Sequence, residues 1–316
     1  MSAPVATAAS AQLDLLQADA PQDPELTVLS FGAGQDSTAL LYRYFYDPAF
    51  RTRYAPRAFL VLCADSGDEH PATVAHIRRV QDLCRDHQVA FEYITLERGY
   101  HRGSWAGGIV RHFETHNTIG SVSYPKTCTV NLKVEPIYRF LEEWVGQRYE
   151  LPTGGKRALR GFAARHGKIR MLIGIAAGEE RRVAKAGTSP PWMQAAIDRV
   201  YPLIDLGMDR AACQAYIASV GQPIPPWSAC FVCPYKQGAE LLWSARRFPD
   251  RWERWVQAER RKLDAWEGRT KRNLGVKGAI ALPEALARAE RQFGHLSDEE
   301  LDTYAMSHGH CVATTY

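Results

Sequence analysis

The chain has no apolar run approaching the roughly 20 residues that span a bilayer, so it offers no candidate membrane helix. Its start lacks a basic segment followed by an apolar core, which argues against a secretory signal. Residues 1–24, rich in Ala, Gln and Asp, read instead as a flexible leader. No tandem repeat is present, which excludes a solenoid or propeller. Charge of either sign is not abundant: the net formal charge of +4 is too small to demand a polyanionic partner. Disulfide scaffolding is also excluded, because 7 cysteines in 316 residues include one close pair, Cys230 and Cys233. A hydrophobic content of 46% with 23% charged residues fits a soluble globular protein, expected in the cytoplasm.

What is present begins at Ser30-Phe31-Gly32-Ala33-Gly34-Gln35-Asp36-Ser37-Thr38. The apolar run Leu26–Leu29 precedes it and Ala39-Leu40-Leu41 follows, an order that predicts strand, glycine turn and helix. Such a turn directs backbone N–H groups and a helix N-terminus at one point, which favours phosphate. There is no Gly-Lys-Ser/Thr, so the lysine of a Walker-type loop is missing. Asp36 and Ser37 stand there instead. A carboxylate beside phosphates suits Mg²⁺, and a hydroxyl suits phosphate donation.

The remaining pattern alternates strand-like and helix-like segments. Leu26–Phe31, Ala58–Ala64, Val89–Leu96 and Ile169–Ile175 are predicted strands, followed by a short one at Val200–Leu203. Helices are predicted at Ser37–Tyr46, Pro71–His87, Leu132–Val145 and Met208–Val220. Leu151–His166, rich in Gly and Arg, is expected to be an exposed loop. The alternation implies an α/β fold with a doubly wound parallel sheet over residues 25–226. A helical, cysteine-containing region, 227–316, is expected to follow. Ligands of such sheets bind at the carboxyl ends of the strands. Three polar clusters fall there: Gly32–Ser37, Asp65–Glu69 and Gly174–Arg182. Asp65 and Ser66 suit Mg²⁺ or nucleotide hydroxyls, or they cap the helix that follows. Glu179 with Arg181 or Arg182 suits a cation held against a phosphate, or a surface salt-bridge cluster.

Cys63, Cys84 and Cys213 lie in apolar patterns and read as buried. Cys128, Cys230, Cys233 and Cys311 lie in loop contexts and read as metal ligands. One pair and two singletons favour a [4Fe–4S] cluster over Zn²⁺, with a redox dithiol as the remaining alternative. Between Arg246 and Arg291 there are 13 Lys/Arg against 7 Asp/Glu, interleaved with Trp252, Trp255 and Trp266. Basic and aromatic residues together suit a phosphate backbone and stacked bases. They equally suit a solvated helix pair whose tryptophans face the core, and the three-residue spacing of Trp252 and Trp255 favours that for those two.

These segments resemble the PP-loop ATP-pyrophosphatase superfamily, whose turn reads Ser-Gly-Gly-x-Asp-Ser. Here Gly32 and Ala33 replace its first Ser and first Gly. Asp65-Ser66-Gly67, Gly174 with Glu179 and Arg182, Cys128-Thr129 with Lys133 and Pro136-Ile137, Tyr201-Pro202, and Cys230–Tyr235 are similar to the phosphoadenylyl-sulfate-reductase-like branch. The similarity spans about residues 26–260. It implies an adenine nucleotide alpha hydrolase-like fold and ATP–Mg²⁺ bound by Ser30–Ser37, Asp65, Ser66 and Gly174. It also implies cleavage between the α- and β-phosphates, with Asp36, Ser37, Lys133, Glu179 and Arg182 at the chemistry. The Cys-Cys pair and C-terminal Glu-Cys-Gly-Leu-His of sulfonucleotide reductases are missing. The expected activity is therefore adenylation of a nucleic acid for sulfur insertion, DNA phosphorothioation ahead of tRNA thiolation. A sulfonucleotide reductase or small-molecule adenylating ligase, or a non-catalytic cluster-binding regulator, is the alternative. A cysteine desulfurase is the expected sulfur donor, and a homodimer is compatible with this reading.

Overall fold

A computed structural model describes residues 23–308, apart from 186, 227 and 271. Five strands, β1 Leu26–Ser30, β2 Ala58–Ala64, β3 Ala90–Ile94, β4 Ile169–Ile173 and β5 Ile197–Val200, form one sheet in the order β3-β2-β1-β4-β5. Every neighbouring pair is parallel. The chain winds outward from β1 through β2 to β3, then resumes on the other side of β1 with β4 and β5. The order reverses between β1 and β4, which is where ligands of open α/β sheets bind.

Helices cover both faces. Leu26, Val28, Leu60, Leu62 and Met171 point to one side, against Glu135–Arg148 and Arg157–His166. Leu29, Phe31, Val61, Cys63 and Leu172 point to the other, against Gln35–Tyr46 and Pro71–Asp86. Successive strand residues alternate in direction, so burial on both faces requires the near-continuous apolar runs seen in β1 and β2. The doubly wound α/β architecture expected from the pattern is therefore the observed one.

Three local expectations are corrected. Leu151–His166 is not an exposed loop: Arg157–His166 is a helix that buries Ala158, Leu159 and Phe162 completely. Its arginines occupy the outer face and mask a narrow apolar stripe. The last strand is Ile197–Val200, and Pro202 instead opens the short helix Pro202–Asp205. Proline suits that first turn because its absent N–H would be unpaired there. The helix after β2 is capped by the His70 side chain, which accepts from the Ala72 N–H (3.2 Å), not by Asp65 or Ser66.

The segment predicted as Leu132–Val145 begins with a π-helical turn, Val130–Val134, and continues as an α-helix over Glu135–Arg148. Pro136 explains the irregularity. It has no N–H to give the Leu132 carbonyl four residues back. The buried His101 Nε2 contacts that oxygen instead, at 3.1 Å.

Beyond 227, the helices Gly238–Arg247, Pro249–Ala265, Leu282–Phe293 and Asp298–His308 pack on two small cores, one of which also takes in Ile119. Trp243, Trp252 and Trp255 are buried in them, as the spacing of the latter two implies. Among the described residues, no helix is long and apolar enough to cross a membrane. Residues 1–22 of the expected leader, and Cys311, lie outside the described residues.

Candidate active site

A cavity of about 830 Å³ opens at the carboxyl ends of β1, β2 and β4. The turn Ser30–Ser37 forms one wall, with Gly174, Arg182 and Arg210. Gly34 occupies the N-cap position of the helix Gln35–Tyr46 and supplies no side-chain cap. The first-turn N–H groups of a helix have no intrahelical partner. This N-terminus is buried at Gln35, Asp36, Ser37 and Thr38, and together these features suit an anion.

Ala33 has φ 55°, the left-handed region that favours glycine. The turn thus keeps the glycine-like backbone although the residue is alanine. Gly174 is needed for packing: a Cβ there would lie 2.9 Å from the Ser37 nitrogen and 3.2 Å from the Asp36 carbonyl carbon. The end of β4 therefore presses directly on the turn. Gln35 is a clamp: its amide donates to the carbonyls of Pro225 (3.1 Å) and Met306 (3.0 Å) and accepts from Gln214 (2.9 Å).

Asp36 is 8% exposed. Burial raises its pKa, Arg210 opposes that rise and Glu179 adds to it. Its Oδ2 pairs with Arg210 at 3.2 Å, while its Oδ1 is buried without a hydrogen-bond partner. Arg210 also reaches Glu179 Oε1 at 3.3 Å, and Glu179 pairs with Arg182. Sequence reasoning missed Arg210. Its only signal was position, one residue after the Asp209 cap of the helix Arg210–Ser219. Glu179 supports these arginines from behind and does not line the cavity; Arg182 does, and is buried rather than part of a surface cluster.

The Ser37 hydroxyl is turned into its own loop. It accepts from the Gly32 N–H and donates to the Gly34 carbonyl, both at 3.2 Å. In this conformation it shapes the turn and does not present a donor outward. Asp65 likewise accepts from the Gly67 N–H at 2.8 Å and does not line the cavity. Ser66 does, and its hydroxyl donates to Glu69 Oε1 at 3.0 Å and meets Cys230 Sγ at 3.1 Å. Lys133, set by the π turn, reaches the same Glu69 oxygen at 3.4 Å.

Cys128, Cys230 and Cys233 all line this cavity. Asp68 docks the Cys-x-x-Cys turn: its carboxylate accepts from the Val232 N–H (2.9 Å), its carbonyl accepts from the Phe231 N–H (3.1 Å), and Arg251 pairs with it. Burial pushes the Cys230 thiol well above its usual pKa. Lys236 and Lys277 lie within electrostatic reach of Cys233. The donor chemistry suits a thiophilic metal. Among the described residues, however, no group of three or more His, Cys, Asp or Glu converges closely enough to hold a metal ion. Cys311, the fourth expected ligand, lies outside the described residues. The Asp36 carboxylate does fit Mg²⁺, since its buried Oδ1 lacks any other partner.

Several cations of the basic region are spent on internal contacts. Arg246 and Arg247 pair with Asp298 and Asp302, Arg251 with Asp68, and Arg288 with Glu284. Lys262 donates to Asn273 and the Leu274 carbonyl, both at 2.8 Å. Its contribution to the cavity is Lys262, Trp266, Thr270 and Arg272. No protein-family model matches the chain, and no curated protein matches it either.

Proposed function

We propose that the chain is an ATP pyrophosphatase that adenylates a nucleic acid for sulfur insertion. The observation that carries this reading is one cavity holding both an uncapped helix N-terminus with an unpartnered Asp36 oxygen and three cysteine side chains. Six cations against two carboxylates line it, a balance suited to polyphosphate and to a second anionic reactant.

The first-turn amides and the Gly32–Gln35 backbone hold the β- and γ-phosphates. Asp36 holds Mg²⁺, which neutralises charge on the phosphates. Arg182 and Arg210 stand where negative charge develops on the α-phosphate. An oxygen of the substrate attacks the α-phosphorus. The α–β bridging bond breaks, and pyrophosphate leaves with the electron pair. The new adenylate makes that oxygen a good leaving group. The outer sulfur of a cysteine persulfide, charged by a cysteine desulfurase, then attacks the activated centre, and AMP leaves with the electron pair. A second cysteine thiol attacks the inner sulfur of the resulting disulfide link, which frees the product with sulfide-level sulfur and leaves a cysteine disulfide that an external thiol reductant restores. Lys133, anchored on Glu69, is placed to orient the anionic substrate. DNA phosphorothioation is the favoured setting and tRNA thiolation the second.

Pyrophosphate release from ATP, measured with and without DNA or tRNA at one fixed salt concentration, tests the reading. Asp36→Ala is expected to abolish release; unchanged release overturns the assignment. Anaerobic purification with iron, sulfide and zinc analysis tests the thiols separately. Stoichiometric zinc in a colourless protein would sink a [4Fe–4S] cluster bound by Cys128, Cys230, Cys233 and Cys311.

A further inference from the structure

The wall of the cavity away from the turn is built differently. Its residues come from 105–129 and from the C-terminal helical region, and five of them are aromatic: Trp105, Phe113, Tyr124, Tyr235 and Trp266. Their orientations are set by local contacts. Trp105 stacks on His112 at 3.6 Å and 10°, and His112 is held by Ser104 at 2.9 Å. The Tyr124 hydroxyl donates to the Arg272 carbonyl at 2.9 Å, and the Trp266 indole N–H donates to the Asn117 carbonyl at 2.7 Å. Rings fixed in this way lose little freedom on meeting a planar ligand.

Charge complements them. Lys126 lies 5.4 Å from the Tyr235 ring centre and Lys262 lies 5.6 Å from that of Tyr124. The adjoining loop also exposes large hydrophobic side chains on the described surface. Of the five large hydrophobic residues exposed there, Val122 and Tyr124 belong to it, and Val130 opens the π-helical turn that follows. Apolar rings interleaved with lysines fit a ligand that has flat faces and phosphates together.

We infer that this wall is a subsite for an unpaired nucleotide of a polynucleotide, taken up by stacking, with its phosphates met by the wall's cations. A paired base offers only its edges, because its faces are covered in the duplex. A ring-lined cavity can therefore use a base only after it has left the stack. The inference rests on the nucleic-acid reading above and narrows it to single strands or extruded nucleotides. It also places the second reactant in the same cavity as the Ser30–Ser37 turn, as a direct transfer from ATP requires.

The full chain is titrated with labelled single-stranded DNA and RNA of about 10 nucleotides, and with the matching duplexes. ATP–Mg²⁺ binding is measured in parallel. Single strands are expected to bind more tightly than duplexes. Trp105→Ala is expected to weaken single-strand binding by about 5- to 150-fold, the equivalent of about 1–3 kcal/mol of stacking. Trp105→Phe, which keeps a flat face, retains most of it, which separates stacking from misfolding. ATP affinity in both variants is expected within about twofold of the parent, as for independent sites. The DNA and RNA arms distinguish the source of the nucleotide. Equal loss of ATP and oligonucleotide binding on Trp105→Ala would make the wall an adenine site and overturn the inference. Preference for duplex would overturn it too. If the parent binds ATP but no oligonucleotide, the stacking subsite fails and the ATP site stands. If it binds oligonucleotide but not ATP, the adenylation reading fails and the subsite stands.

Discussion

Gly174→Ala tests whether the end of β4 shapes the phosphate turn. The added Cβ would sit 2.9 Å from the Ser37 nitrogen and 3.2 Å from the Asp36 carbonyl carbon. Both are backbone atoms in the first turn of a buried helix, so neither yields by rotating a side chain. Overpacking of this kind costs about 1–3 kcal/mol. At about 2–4 °C per kcal/mol for a domain of comparable size, the melting temperature is expected to fall by several degrees. The larger effect is local, because relief of the clash pushes the Asp36 and Ser37 amides out of register with a bound phosphate. Gly32→Ala is the matched control in the same turn: its Cβ would meet nothing nearer than Ser37 Oγ at 4.0 Å. Thermal melting with and without ATP–Mg²⁺ reads both effects. Gly174→Ala should melt early and lose most of the ligand-induced shift, whereas Gly32→Ala should keep the parent's stability. Parent-like melting and parent-like ATP response for Gly174→Ala would refute the packing argument.

Asp36→Asn should uncouple stability from binding. Burial raises the Asp36 pKa above its ordinary 3.8, so this group favours folding below that value and loses the contribution as pH rises through the raised folded pKa. At neutral pH the ligand-free Asn variant should therefore melt no lower than the parent, with the difference closing in acid, while its Mg²⁺-dependent response to ATP disappears. A melting curve at each pH checks this. Arg210→Ala leaves Asp36 and Glu179 without their shared cation, and pyrophosphate release should fall by about 10- to 100-fold, the scale of one lost charged hydrogen bond. Steady-state kinetics measures it. Phe162→Ala should cost about 3–5 kcal/mol of unfolding free energy, measured by denaturant titration, because Arg157–His166 is a core helix.

The sheet was legible because its central strands, β1, β2 and β4, are buried on both faces. Leu26–Leu29 and Phe59–Ala64 can hardly be anything else, and the polar residues directly after them land on one edge. Arg157–His166 was not legible, because only Ala158, Leu159 and Phe162 are buried while its three arginines and the preceding Gly154-Gly155 read as loop. The turn at Ser30–Ser37 was recognised from its residues, but the inward rotation of the Ser37 hydroxyl was not. That orientation depends on two backbone partners, Gly32 and Gly34, which sequence cannot assign. Arg210 was missed for a similar reason: it lies 174 positions from Asp36, and no local pattern marks such a pair. The basic segment 246–291 shows the converse. Its charge excess is real, yet several of its cations are anchored on Asp68, Asp298, Asp302 and backbone carbonyls.

The identity of the products of ATP turnover tests the central claim most directly. Purified protein is incubated with ATP, Mg²⁺ and single-stranded nucleic acid, and the nucleotide and phosphate products are separated. The account expects AMP and pyrophosphate, formed by the parent and not by Asp36→Ala. ADP and inorganic phosphate, or turnover indifferent to Asp36, would contradict it.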